Sequence, residues 1–375
     1  MSDAASLSSD LKAEARRLGF ALSGICPAVT PPGIARLDEW LSHGYAGQMN
    51  YLADRRAAHE HPQSVLEGAH SIVMLAMNYR TVEPAEPAPG QGRVSRYAWG
   101  DDYHGLIRGR LNELADYLRG RVTGALVRGV VDTAPLMERE FAQLAGLGWI
   151  GKNTLLLNRE VGSWFFLAAL LTDVELDYDA AHATDHCGTC RACLDACPTG
   201  AFPEPYVLDA RKCISYLTIE LREAVPTPLR AGLGDWVFGC DICQDVCPWN
   251  RRAPESGEEA FVPAAARNPI DLAELFSWSD NDFRRHFRGT PLLRAKRRGL
   301  LRTAAIVLGN QRDPASLAPL VRGLSDDEPL VRGAAAWALG RLGTPAARDA
   351  LADRLKHEND IDVRGEIEAA LRANT

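Results

Sequence analysis

The nine cysteines are bunched: eight fall between Cys187 and Cys247, and only Cys26 stands apart. The first run reads Cys187-x2-Cys190-x2-Cys193-x3-Cys197-Pro198. This is the bacterial spacing for two [4Fe–4S] clusters, in which the fourth cysteine serves the other cluster. Three thiolates in a tight loop reach three corners of one cubane, while the fourth leaves on a departing helix. The second run, Cys240-x2-Cys243-x3-Cys247-Pro248, has its remaining cysteine upstream at Cys213. Crossing the ligands uses all eight. Cluster one takes Cys187, Cys190, Cys193 and Cys247, and cluster two takes Cys197, Cys213, Cys240 and Cys243. The competing reading is two zinc sites of four cysteines each. Zinc motifs pair two short-spaced knuckles, however, and a four-cysteine run ending in Cys-Pro is not that pattern. Cys26 lies in an apolar stretch and reads as a core residue.

Two clusters with every corner tied form an electron relay, which leaves the chemistry to another centre in the first 175 residues. Crowded cysteines in place of spaced disulfide pairs also fit a reducing compartment. The first twenty residues are rich in charge and have no apolar core of a secretory signal, and the longest apolar run, Trp164 to Leu171, is too short to span a bilayer. A cytoplasmic chain without a membrane segment is the expectation.

Hydrophobic patterning separates three regions. Residues 1–175 alternate helix and strand signals: an amphipathic Ser9–Leu18, apolar strand patterns at Ala69–Met77 and Ala125–Val131, a helical Leu136–Leu147 and a strand at Gly162–Leu171. Such alternation favours an α/β sandwich, and no Gly-x-Gly-x-x-Gly or P-loop motif is present. Residues 176–260 hold the cysteine module, and 261–290 read as a polar connector with a short helix. From 291 to 375 the chain repeats with a period of about 31 residues: Arg302-Thr-Ala-Ala-Ile-Val-Leu-Gly309 echoes Arg332-Gly-Ala-Ala-Ala-Trp-Ala-Leu-Gly340. Paired helices with a Gly break and a shared Ala/Leu face make this HEAT-like. The fold class expected is therefore multidomain α+β: an N-terminal α/β domain, a bacterial-type two-[4Fe–4S] ferredoxin module and C-terminal α-helical HEAT-like repeats.

Charge divides along the same line. The whole chain carries a net charge of −7, yet residues from Arg284 onward hold 17 Lys and Arg against 11 Asp and Glu. From Arg284 to Arg312 there are nine basic residues and no acidic one. A basic strip on an acidic protein is either a solvated face or a seat for a polyanion.

Several motifs then resemble one family along nearly the whole chain. They are Met49-Asn50-Tyr51, Arg96-Tyr97-Ala98-Trp99-Gly100-Asp101-Asp102-Tyr103-His104, Val131-Asp132-Thr133, Gly151-Lys152-Asn153, Cys213-Ile214-Ser215-Tyr216-Leu217-Thr218 and Phe238-Gly239-Cys240. Together with the cluster spacing and the repeat tail, they resemble the epoxyqueuosine reductases. The ferredoxin half is also similar to that of reductive dehalogenases.

The resemblance implies reduction of the epoxide of epoxyqueuosine to queuosine at the wobble position of a tRNA anticodon, the last step of queuosine synthesis. It implies cobalamin and two [4Fe–4S] clusters as cofactors, tRNA as partner, an electron donor of the flavodoxin or ferredoxin type, and a monomer. By motif match Asp132 is the proton donor, and a pKa raised by desolvation beside the corrin is expected for it. The bland alternative is a helix N-cap. Ser95, Arg96, Asn153, Leu156, Leu167 and Ser215 would line the corrin with Asp132. His59 stands where the family often has Arg, with Arg55 and Arg56 nearby. The corrin would carry no protein histidine on cobalt, since Asp102-Tyr-His104-Gly-Leu-Ile107 fails the Asp-x-His-x-x-Gly pattern at its last position. Arg294, Lys296, Arg297, Arg298 and Arg302 would track tRNA phosphates. The alternatives are a dehalogenase-like reductase of a small molecule, which has no need of a basic helical tail, and a non-catalytic electron carrier.

Overall fold

The computed structural model describes residues 3–264 and 266–372. Its first layer is a four-stranded sheet in the order Leu22–Pro27, Ser71–Asn78, Phe165–Thr172, Val127–Val130, with every neighbouring pair antiparallel. Ser71–Asn78 is buried at all eight positions, and the period of two explains why. Val73, Leu75 and Met77 face the helices Asp3–Arg17 and Tyr103–Arg121. Ile72, Met74 and Ala76 face the helix Glu138–Leu144. With helices on both sides, the strand reads as one apolar run, and each of its Val, Ile, Leu and Met side chains contributes about 1.5–3 kcal/mol by leaving water. Alternation of elements along the sequence does not reveal that the pairing is antiparallel.

A second sheet joins regions that the sequence separates. Gln91–Val94 pairs in parallel with Trp236–Phe238 of the cysteine module, and antiparallel with Ile270–Asp271. The segment read as a polar connector accordingly buries Leu272, Leu275, Phe283 and Phe287 in the core cluster that continues into the tail. Its polar appearance comes from the exposed faces of two short helices, Leu272–Leu275 and Asp280–His286.

The tail is a stack of helices: Lys296–Gln311, Leu317–Leu324, Pro329–Leu342, Pro345–Leu355 and Ile361–Arg372. The echoed glycines do not break helices, because Gly309 and Gly340 both lie inside them. A Cβ at Gly309 would sit 2.9 Å from Ala338, and one at Gly340 would sit 2.6 Å from Ala370. The repeat thus keeps a hydrogen side chain where the next long helix crosses. Among the described residues, no helix is long and apolar enough to cross a membrane.

Candidate functional site

A cavity of about 1960 Å³ opens where the N-terminal layer, the cysteine module and the start of the tail meet. Asp132, Tyr103, His104, His59, Glu138 and Arg294 are on its wall. Asp132 follows the edge strand Val127–Val130 and takes φ +56°, a left-handed conformation that Asp tolerates better than most residues. The helix Glu138–Leu144 starts with Met137 at its cap, so Asp132 is not an N-cap.

The helix Tyr103–Arg121 supplies the neighbours of Asp132. Asp102 caps it, accepting the His104 backbone N–H at 3.0 Å, and its Oδ1 also lies 2.7 Å from His104 Nδ1. One carboxylate therefore starts the helix and aims the imidazole. His104 Nε2 then lies 3.5 Å from Asp132 Oδ2, to which the Tyr103 hydroxyl donates at 2.7 Å. Tyr103 is clamped flat between Phe166 and His104, with ring centroids 4.0 and 4.1 Å away.

The electrostatics correct one expectation. The Asp132 carboxyl is held below its ordinary range, chiefly by the His104 hydrogen bond and against a desolvation that pushes it up. Its side chain is 64% exposed to the cavity, so burial does not win. The proton resides on His104, pushed up to about 9 by Asp102 and Asp132. A helix N-terminus disfavours a cation there, but two carboxylates outweigh it. The neutral carboxyl on this wall is Glu138: burial and the charge of Asp132 push it up to about 8, and its Oε1 has no hydrogen-bond partner. Motif reading missed Tyr103, His104 and Glu138 as site residues. The signal for the first two was Asp102-Tyr-His104, an Asp and a His two apart at a helix start.

Of the residues expected around a corrin, His59 and Asp132 face the cavity, and His59 Nδ1 is buried without a partner. Ser95 and Arg96 do not, and this is a correction. The Ser95 hydroxyl and the Arg96 amide both donate to Asp241, while the Arg96 guanidinium donates to Asp245 and lies 4.7 Å over Trp164. They lock the N-terminal layer onto the segment between Cys240 and Cys247. Asn153 is buried at the same seam, with Nδ2 3.4 Å from the Cys243 carbonyl, and Leu156 is buried in the sheet-side core. Leu167 and Ser215 are half-buried away from the cavity wall.

None of the eight clustered cysteines is in a disulfide. Cys193 is pushed up to about 11 by burial and by Cys247, Cys187 and Cys190. Cys243 feels Cys213 and Cys197, and Cys240 feels Cys243 and Cys213. Thiols of both expected quartets lie close together, Cys243 feeling Cys193 as well as Cys213 and Cys197. Gly151-Lys152-Asn153 reaches over from the first layer, Lys152 donating to the carbonyls of Gly188 and Cys190. Gly239 takes φ +67°, and a Cβ there would sit 2.5 Å from the Ser95 Cβ, so the position needs glycine. Cys26 is buried and pushed up to about 12, as a core thiol is.

The basic strip is only partly a surface. Arg302 is 1% exposed and donates to the carbonyls of Leu217, Leu221 and Glu223, so it cannot reach a phosphate, which corrects that expectation. Arg297 is likewise committed, to Asp326 and the Trp278 carbonyl. Arg294, Lys296 and Arg298 remain accessible, Arg294 paired with Glu220 at 2.9 Å on the cavity wall.

Comparison with known proteins places these features. The model of the 4Fe-4S double cluster binding domain matches residues 186–250, that of epoxyqueuosine reductase QueG, DUF1730, residues 60–133, and that of HEAT repeats residues 290–372. The epoxyqueuosine reductase of Pseudomonas aeruginosa is 44% identical over 91% of this chain and 96% of its own length. That of Escherichia coli K12 is 39% identical over 89% of each. A solved epoxyqueuosine reductase with an epoxyqueuosine-modified tRNA-Tyr stem loop superposes with a TM-score of 0.92 at 30% identity, covering 98% of this chain and 99% of that one. The Bacillus subtilis enzyme, solved with its catalytic aspartate loop swung out of the active site, gives the same score over 99% of each chain. With two iron–sulfur clusters in its cysteine module, this chain is an oxidoreductase that belongs to the epoxyqueuosine reductase family.

Proposed function

We propose that the chain reduces the epoxide of epoxyqueuosine in a tRNA anticodon to the cyclopentene of queuosine, the cavity holding cobalamin and the eight cysteines holding the clusters in the crossed arrangement. The observation that carries this reading is the Tyr103–His104–Asp132 group on a cavity wall that is shared by the cysteine module and by Arg294 of the basic tail. The donor set suits a corrin edged with amides: His59 Nδ1 and Glu138 Oε1 are buried polar atoms without partners among the described residues. Bound and reduced, cobalamin would supply the electrons that open the epoxide carbon.

The chain's own residues handle protons and position. Opening the epoxide to an alkene takes two electrons and two protons and releases its oxygen as water. His104 carries a proton at neutral pH and holds it toward Asp132 Oδ2; that proton passes onto Asp132 and from there to the departing oxygen, and solvent supplies the second proton that completes the released water. Tyr103, stacked between Phe166 and His104, fixes that carboxylate in place. Arg294 on the cavity wall, with the accessible Lys296 and Arg298 close to it in sequence, offers phosphate contacts, and the modified base leaves the anticodon stack to enter.

The test is anaerobic turnover of an epoxyqueuosine-bearing stem loop with cobalamin and a chemical reductant, followed by mass spectrometry of the nucleoside. Conversion that requires cobalamin, and that falls about 10²-fold or more in Asp132→Asn with iron content and cobalamin binding intact, supports the reading. Undiminished turnover by Asp132→Asn overturns the proton-donor role. Failure of the fully loaded protein to convert the stem loop overturns the assignment of substrate.

A further inference from the structure

Trp149 lies in the two-residue strand Trp149–Ile150, directly before Gly151-Lys152-Asn153, and is held there by pairing with Leu156–Leu157. Its ring is 1% exposed and packs with Cys247, Cys187 and Trp249 in a small cluster of its own. Trp249 meets it edge-on at 5.0 Å, His186 edge-on at 4.7 Å, and His182 stacks at 5.5 Å. Three aromatic neighbours leave the indole no freedom to turn. Its Nε1–H is nevertheless buried and has no hydrogen-bond partner among the described residues. A buried indole N–H is ordinarily bonded, and leaving it unpaired costs about 1–3 kcal/mol. The sulfur beside it is that of Cys187, which packs in the same small cluster and whose loop Lys152 clips through the carbonyls of Gly188 and Cys190.

We propose that Trp149 is a positioning residue of the electron relay: its indole N–H is reserved for the Cys187 sulfur of cluster one and raises the reduction potential of that cluster. The proposal rests on the reading that Cys187 is a ligand of cluster one. Reduction adds one electron to the cluster without making or breaking a bond, and the added negative charge spreads onto its sulfurs. An N–H dipole fixed on one of those sulfurs stabilises the reduced form more than the oxidised form, a recognised lever on cluster potentials. The ring's rigid packing means that no reorganisation is needed when the electron arrives. The indole sits beside the ligand whose loop is also clipped by Lys152, so the same stretch, 149–152, shapes the cluster loop and sets its electron affinity.

The experiment is an anaerobic redox titration of the full chain, wild type and Trp149→Phe, followed by electron paramagnetic resonance with iron and sulfide counted in each. Phenylalanine keeps most of the packing and removes only the N–H. One midpoint should move to a more negative value by about 59 mV, a tenfold loss in the reduced form, while the other stays put. Unchanged midpoints with full iron overturn the proposal. Loss of iron from Trp149→Phe shifts the test to wild type and Trp249→Phe protein grown with indole-15N tryptophan. A 15N hyperfine coupling to one reduced cluster in both supports the bond, and its absence overturns it. If Cys187→Ser keeps the iron content of wild type, the ligand assignment fails instead, and the proposal falls with it.

Discussion

The Tyr103 hydroxyl donates to Asp132 Oδ2 at 2.7 Å, and the imidazole of the next residue, His104, stands 3.5 Å from the same oxygen. Two consecutive side chains at a helix start thus converge on one carboxylate oxygen across the mouth of the cavity. The arrangement dictates a pH profile. His104 ordinarily titrates near 6.5 but is held up to about 9, so the protonated pair persists through neutrality. Turnover should hold up to about pH 8 and fall as pH rises through 9, and His104→Gln should lower the plateau and abolish that basic limb. The same shift stabilises the fold: the contribution is fully present below pH 6.5 and is lost as pH climbs through about 9. Rate–pH curves of the two proteins decide it, and a shared basic limb would assign the titration elsewhere.

The cysteine pattern carried the module and its chemistry because cluster ligation demands fixed spacing within a short chain. The Asp132 loop was legible as a motif, but its protonation state was not, since that depends on His104 reaching it across 28 residues of sequence. Arg302 and Arg297 looked like surface cations because a helix written as one line of residues does not show its faces. Arg302 lies on the inward face and ties three carbonyls of the cysteine module, whereas Lys296 points outward. Ser95 and Arg96 were assigned to the corrin by motif position alone, and Asp241, distant in sequence, claims them.

Iron counting separates the thiols. Cys243 lies among Cys213, Cys197 and Cys193, whereas Cys26 sits in the apolar core beneath the main sheet. Cys243→Ser should lose about four irons per chain and destabilise the module, because ligation and folding are coupled. Cys26→Ser should keep wild-type iron while costing about 1–2 kcal/mol for a buried hydroxyl. Equal iron in all three proteins would refute the role of Cys243.

The basic strip divides into cations that bind and cations that build. Lys296→Ala and Arg298→Ala should weaken tRNA stem-loop binding and reduce the slope of log affinity against log salt by about 1 each, with no change in thermal unfolding. Arg302→Met should do the reverse. It removes donors from the carbonyls of Leu217, Leu221 and Glu223, so stability drops by about 3 kcal/mol while the salt slope holds. Binding isotherms at several salt concentrations, paired with melts, test both; a shallower salt slope in Arg302→Met would contradict its burial.

Glu358 gives the tail a charged centre. Its side chain is 1% exposed and accepts from Arg332 at 2.8 Å and Arg354 at 2.7 Å, with the backbone N–H groups of Asn359 and Asp360 on its other oxygen. Burial alone would push this carboxyl up; two guanidinium groups and the backbone pull it down to about 2. A carboxylate depressed in the fold contributes stability above its ordinary value near 4.5 and loses it as pH falls through about 2. Glu358→Gln keeps the shape but leaves the Arg332 guanidinium, itself mostly buried, without its counter-charge. Breaking such a pair typically costs about 3–5 kcal/mol. Denaturant unfolding at pH 7 should show that loss, and the gap between wild type and Glu358→Gln should narrow as pH drops from 4.5 toward 2, because the acid protonates the wild-type carboxyl to the same neutral state. A gap that stays constant over that range would mean that packing, and not the charge on Glu358, holds the last two repeats together.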